Sequence, residues 1–350
     1  MAHVLNLEAL SLNPKESTEF EAFIQERILE QPILSTIHRI WPGIKMKEQI
    51  VFAGLMGKTG IADPSCTRPT SGAGAAMSEK FWEPANMGDT FSLCQTEVNA
   101  LFKAYYDKIA SYAQKFDIEG SDEMRFIAAL IEDSASKAIA RIVWFGDKAV
   151  KAAGAATAGL KAVGDVKFYS LINGLWKQIF LGVVAGTIVK ADVKTTAKET
   201  FKEIWKKADV RLRSAADKQL LVSRSLFDAY TDELIEKSEN FSIELTTEGL
   251  PTVRWNGIPV VNMETVWDLN LNDFVSNTTD KAAYLPERAI LTVPANIPVG
   301  TLNDGDFTEL EAWYNKDERK NKIAYGMTID TKVLENYMIV AAYGNFELAN

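Results

Sequence analysis

Histidine, the side chain that most often serves as general base and metal ligand near neutral pH, occurs only twice in these 350 residues. His3 stands near the start, and His38 sits in Ile37-His38-Arg39-Ile40-Trp41 with no second ligand type beside it. Zinc-assisted hydrolysis and Ser-His-Asp catalysis need such groups acting in concert, and here they have little to work with. His38 is therefore expected to be structural or solvated. Two cysteines, Cys66 and Cys94, are too few for a disulfide framework or a four-cysteine zinc site; free thiols in a reducing compartment are the expectation.

Three glycine- or aspartate-bearing stretches approach known chemistry and miss it. Gly54-Leu55-Met56-Gly57-Lys58-Thr59 ends like a phosphate-binding loop, whose backbone N–H groups cradle phosphate oxygens. The glycine required five residues before Gly57 is Phe52, so a loop tip with an exposed lysine is expected. Gly72-Ala73-Gly74-Ala75-Ala76-Met77 lacks the third glycine of a dinucleotide fingerprint and is expected to be a pliable loop. Asp268-Leu269-Asn270-Leu271-Asn272 opens like a calcium loop, but Asp273 replaces the turn glycine and Thr279 the bidentate Glu. The sequons at Asn240 and Asn277 carry no weight without a visible secretory signal. No catalytic, cofactor-binding or metal-binding residue is assigned, and no cofactor is expected.

Composition narrows the class further. The chain is 47% hydrophobic and 24% charged, with 38 basic against 47 acidic residues and a net charge of −9, which excludes global disorder and the basic footprint of a general nucleic-acid coat. The longest uncharged apolar run, from Gln178 to Val189, is shorter than the roughly 20 residues needed to span a bilayer. A soluble product, cytosolic when made, is expected.

The elements that would position any site follow from periodicity. Phe20, Phe23, Ile24, Ile28 and Leu29 outline a helix over 16–30, and Val98, Leu101, Phe102, Tyr105, Ile109, Tyr112 and Phe116 a longer one over 95–116. Met124, Ile127, Ile131, Ala135, Ala138 and Ile142 predict a further helix beginning near Asp122 and Glu123. Between Trp41 and Thr90 there is no helical period. Two strand-like stretches there, 44–55 and 80–93, are expected to pair as an extended hairpin that completes itself against a partner. Residues 149–163, rich in Ala and Gly, are expected to be a flexible loop. Leu171 to Val189 turns from helical to strand-like, and the helix around Phe201, Ile204 and Trp205 lies in a segment, 190–218, with nine Lys or Arg against five Asp or Glu. Such a face is expected to be solvated. The remainder predicts a buried strand at 219–222 entering a helix through the serine cap Ser223, a hairpin turning at Asn256-Gly257, a second hairpin from Phe307 to Ile329, and a closing strand over 337–343.

The order of these pieces resembles the HK97-type major capsid proteins of tailed bacteriophages. The resemblance lies in Leu221-Val222-Ser223 through Leu234, in Trp255-Asn256-Gly257-Ile258-Pro259-Val260-Val261 followed by Trp267-Asp268, and in Arg288-Ala289-Ile290-Leu291-Thr292-Val293-Pro294 through Thr301. It implies an α+β chain with an HK97-like capsid fold: an N-terminal arm (1–40), an extended β-hairpin loop (41–92), a peripheral domain with a long spine helix (93–165), an axial domain (166–304), a peripheral-domain hairpin (305–335), and a C-terminal strand returning to the axial domain (336–350).

The same resemblance implies a virion protein and no enzyme: a major capsid protein self-assembling, as hexamers and pentamers, into an icosahedral shell around double-stranded DNA that it contacts without sequence preference and with no membrane. The implied partners are a portal and a separate scaffolding protein, because no scaffolding segment precedes the arm; a maturation protease stays open. Some relatives join subunits by a lysine-to-asparagine bond, and Lys58 could reach outward similarly, though no Asn or acid partner is identified. An encapsulin-like nanocompartment shell and a cytosolic enzyme without recognisable motif are the alternatives.

Overall fold

The computed structural model describes residues 32–56, 75–94, 122–152, 161–162, 166–236, 244–245, 251–267, 273, 287–302, 307–315, 317–318 and 320–344. The helices expected over 16–30 and 95–116 lie outside these residues, as do Lys58, Cys66 and the loop 268–272.

In chain order, α1 (Pro32–Ser35) leads to β1 (Ile40–Trp41), β2 (Gln49–Met56), β3 (Ala75–Phe81) and β4 (Ala85–Cys94), then to the 24-residue helix α2 (Asp122–Phe145). The pairs β5 (Lys151–Ala152) and β6 (Lys161–Ala162) follow, then α3 (Val166–Tyr169), α4 (Leu175–Val184), β7 (Val189–Ala191), α5 (Ala197–Lys207) and α6 (Val210–Ser214). After β8 (Gln219–Val222) come α7 (Arg224–Glu236), β9 (Glu244–Leu245), β10 (Pro251–Trp255), β11 (Ile258–Asn262), α8 (Glu264–Trp267), β12 (Arg288–Thr292), β13 (Val299–Thr301), β14 (Phe307–Asn315), β15 (Lys320–Thr331) and β16 (Ile339–Tyr343).

These strands form two large sheets. A seven-stranded sheet runs β7-β16-β12-β8-β11-β10-β9, parallel at β7/β16 and at β11/β8 and antiparallel elsewhere. A five-stranded sheet runs β1-β13-β15-β14, with β4 also paired to β15 from Ala85↔Ile329 to Cys94↔Lys320. The turn between β10 and β11 has Asn256 at φ 49° and Gly257 at φ 79°, as a two-residue hairpin requires for its backbone twist to match the strands.

The seven-stranded sheet is covered on both faces, so β8, β12 and β16 are buried at every position, and apart from Gln219, Arg288 and Thr292 at strand ends their sequences are apolar runs rather than alternating ones. Parity divides them between two cores. Leu221, Ile290, Ile339, Ala341 and Tyr343 face α2, α4 and α8 in a cluster that continues to Val299, Met327 and Ile329 of the five-stranded sheet. Leu220, Val222, Ala289, Leu291, Val340 and Ala342 face α5, α6 and α7. One core therefore unites both sheets, and the second belongs to the larger sheet alone.

One expectation about the segment 41–92 changes. The partner of β2 is β3, with Gln49↔Phe81 and Ile50↔Lys80 in register, whereas β4 joins β15 in the five-stranded sheet. The cause is Pro84: it has no N–H to donate, interrupts the ladder, and splits what had read as one strand into two that enter different sheets. Residues 149–163 are also not wholly loop, since Lys151↔Lys161 and Ala152↔Ala162 pair. Near residue 299 sheet membership switches, because β13 pairs with β15 although it falls within 166–304.

The uniting core closes through a backbone contact. Gly174 N donates to Gly146 O at 2.7 Å, and a Cβ on Gly174 would lie 2.6 Å from Gly146 N and 2.9 Å from Val143 O. Backbone atoms cannot yield as a side chain can, so Gly174→Ala is expected to cost about 1–3 kcal/mol, read as a lowered urea midpoint for the dispersed subunit; an unchanged midpoint would refute this account of the junction.

Candidate functional site

Among the described residues no group of three His, Cys, Asp or Glu could hold a metal, and no described helix is long and apolar enough to cross a membrane. Of the near-motifs, Gly54 to Met56 belong to β2 and Ala75 to Met77 to β3, while Gly57, Lys58, Thr59 and 72–74 lie outside the described residues. Cys94 is the last residue of β4.

His38 is 2% exposed and packs on Trp144 at 5.3 Å between ring centroids. Its Nδ1 lies 2.8 Å from Ile297 O; a carbonyl only accepts, so Nδ1 carries the proton and donates. Burial pulls its pKa down to about 4, partly offset by that hydrogen bond.

A cleft of about 640 Å³ lies between β4, α2 and α3, and its wall includes Met87, Asp89, Lys137, Arg141, Lys167 and Tyr325. Three cationic side chains face it with one carboxylate. Burial raises the Tyr325 phenol to about 12, with Asp89 adding to the shift, so Tyr325 stays protonated at neutral pH.

The base of the β2–β3 hairpin is anchored to the rest of the subunit. Ile44, Ile50, Trp82 and Leu334 form their own small core, and Trp82 N donates to Glu48 O while Lys47 N donates to Trp82 O, at 3.1 and 2.9 Å. Lys80 donates to Val333 O and, at 2.9 Å, to Asn336 Oδ1. Burial, helped by the neighbouring Lys332 charge, pulls its pKa down to about 8. Asp330 is 1% exposed and accepts from Glu83 N at 2.7 Å and Thr331 N at 2.8 Å; burial raises its carboxyl above the ordinary value against the pull of Lys332. Around this anchored base, Trp41, Met46 and Phe81 remain 39%, 70% and 46% exposed. Clustered exposure of large apolar side chains marks a contact surface.

Sequence reading missed the anchors Lys80, Asp330 and Asn336, and also the buried Asp147–Lys177 pair, 3.1 Å apart and 0% and 11% exposed at the side chains. No local pattern distinguishes these residues from surface charges. The available signal was context: Asp147 directly follows Trp144-Phe145-Gly146, and Lys177 directly follows Trp176, in runs too apolar for a surface helix.

The His38 environment yields a pH dependence. Above its ordinary value of 6.5 both folded and unfolded forms are neutral. As pH falls from there toward 4, the unfolded chain binds a proton that the folded chain refuses, so stability is lost across that window, by up to about 3 kcal/mol. Urea titrations at pH 7 and 4.5 are expected to show this loss in the wild type and a smaller one in His38→Gln; equal losses would remove His38 as the cause.

No family model matches the sequence, and no curated protein matches it. Solved structures do. A chain of the satellite phage P4 procapsid containing the size determination protein Sid superposes with a TM-score of 0.52 at 13% identity, covering 93% of this chain and 98% of that one. A chain from Gordonia phage Cozz gives 0.52 at 10% identity, covering 91% and 87%, and one from Mycobacterium phage Ogopogo gives 0.50 at 10%, covering 90% and 92%. Together with the two sheets, the shared core and the anchored hairpin, this near-complete overlap shows that the chain has the HK97-type fold of phage capsid proteins.

Proposed function

We propose that the chain is a phage major capsid protein, a subunit whose work is to form contacts with copies of itself in an icosahedral shell around double-stranded DNA. The observation that carries this reading is the end-to-end likeness to the P4 procapsid chain, 93% of one chain on 98% of the other. The reading assigns the chain a structural role and no enzymatic one. The five-stranded sheet with its hairpins corresponds to the peripheral domain, the seven-stranded sheet with α5, α6 and α7 to the axial domain, and residues 1–40 to an arm.

The hairpin supports the same reading physically. A two-stranded ribbon is marginally stable alone, and β2 pairs with β3 apart from either large sheet. Such a ribbon gains by lying on a neighbour, and its base is stiffened by Lys80, Asp330 and Trp82. Regularly arrayed copies turn an exposed edge from an aggregation hazard into an assembly contact. Packaged DNA, a scaffolding protein and a portal are the partners this reading assigns, and the virion its location. The net charge of −9 suits dense DNA packing without tight adhesion.

Because Ile50 and Lys80 are directly paired, residues 51–79 can be replaced by an Asn-Gly turn without disturbing the anchors. The shortened subunit is expected to keep its melting temperature and to form no shells in electron micrographs under conditions where the full chain assembles. Intact shells from it would contradict the role given to the hairpin.

A further inference from the structure

Two helices on one face of the seven-stranded sheet carry opposite charge. On α5, Lys202 and Lys206 stand four residues apart and exposed, and α6 adds exposed Val210 and Arg213. The surrounding segment, 190–218, carries nine Lys or Arg against five Asp or Glu. On α7, Asp228, Asp232 and Glu236 recur every four residues, all exposed. That helix holds one Arg against two Asp and two Glu, a net of −3 in a basic chain segment's immediate neighbourhood. Arg224 partly occupies Asp228, at 3.3 Å. Among the described residues Lys202, Lys206, Asp232 and Glu236 have no ion-pair partner.

Each charged surface also carries one apolar side chain left largely exposed among the described residues: Val210, 68% exposed, beside the basic surface, and Ile235, 60% exposed, beside the acidic one. The surfaces are held at a fixed separation. Glu233 of α7 accepts from Ala197 N at 2.6 Å and Lys198 N at 3.3 Å, capping the start of α5, and Phe201 packs on Tyr230 at 5.1 Å. Beneath them, α5 lies on β7 and β16 and α7 on β11, with β12 and β8 between.

We propose that the basic surface of α5 and α6 docks on the acidic surface of α7 in a second copy of this chain, forming a head-to-tail contact between neighbouring subunits. This rests on the shell reading above and goes further by naming the two surfaces and their pairing. Two different surfaces that recognise each other give a heterologous contact, which closes into rings when the rotation allows. Complementary charge selects the partner and the register, and burial of Val210 and Ile235 supplies the apolar centre.

Charge reversal tests the pairing. Lys202→Glu with Lys206→Glu reverses one surface; Asp232→Lys with Glu236→Lys reverses the other. All four positions are exposed, and circular dichroism and melting of the dispersed subunits are expected to match the wild type. Under conditions in which the wild type forms shells, each double variant is expected to lose at least tenfold in shell yield by size exclusion and electron microscopy. The quadruple variant, with both surfaces reversed, is expected to recover to within about twofold of wild type. Double variants that assemble normally, or a quadruple variant that fails as the doubles do, overturn the pairing while leaving the shell reading standing. A wild-type chain that stays monomeric throughout, with and without a scaffolding protein, overturns both.

Discussion

The junction between the end of α2 and the start of α4 is the constraint on which the rest of the molecule depends. Gly146 and Gly174 meet backbone to backbone, and immediately beyond them Asp147 and Lys177 form an ion pair sealed from water. Such a pair adds little net stability, because both charges were taken out of water, but leaving either one alone is costly. It acts as a register device: only one approach of the two helices both satisfies the charges and clears the glycines. Asp147 further accepts from Ala149 N, and Asp147 N donates to Tyr169 O, which turns the chain sharply after α2.

That junction sets the positions of three tryptophans. Trp144 lies 5.1 Å from Trp267 and Trp176 lies 5.4 Å from Trp267, both edge to face, an arrangement favoured by the ring quadrupoles. Arg288, 1% exposed, lays its guanidinium 5.1 Å from the Trp176 ring and 5.2 Å from Phe145, where cation–π attraction offsets part of the cost of burial. From this hub α4 reaches both sheets. Phe180 packs on Tyr343 of the larger sheet at 5.1 Å, while the Gln178 side chain donates to Thr331 O and accepts from Val333 N at the end of the smaller one. Both sheets thus share one frame.

Much of this frame is legible in local sequence. The strand and helix around Ser223, the Asn256-Gly257 turn, the run from Arg288 to Thr301 and the hairpin of β14 and β15 stand where periodicity and turn chemistry put them. Ser223 is a partial exception: its hydroxyl accepts from Arg288 N and lies 3.2 Å from the Ser225 hydroxyl, so it tethers β12 as well as beginning α7. The pairing of β2 was not legible. Residues 75–81 and 80–93 have similar strand character, and the choice between them was made by Pro84 together with the burial of Trp82 against Ile44 and Leu334, contacts between residues up to about 290 positions apart.

By itself, the sequence determined its scarcity of histidine and cysteine and, through apolar periods and turn residues, which of the described segments are helices and which strands. Those are properties of composition and of neighbours along the chain. Only the tertiary structure decided which strand joins which sheet, which charges are sealed inside and which remain outside, and that the basic and acidic helices share one face of one sheet. These depend on contacts between residues far apart in sequence, where the same lysine is an interior partner at position 177 and an outward charge at position 202 according to what the fold brings beside it.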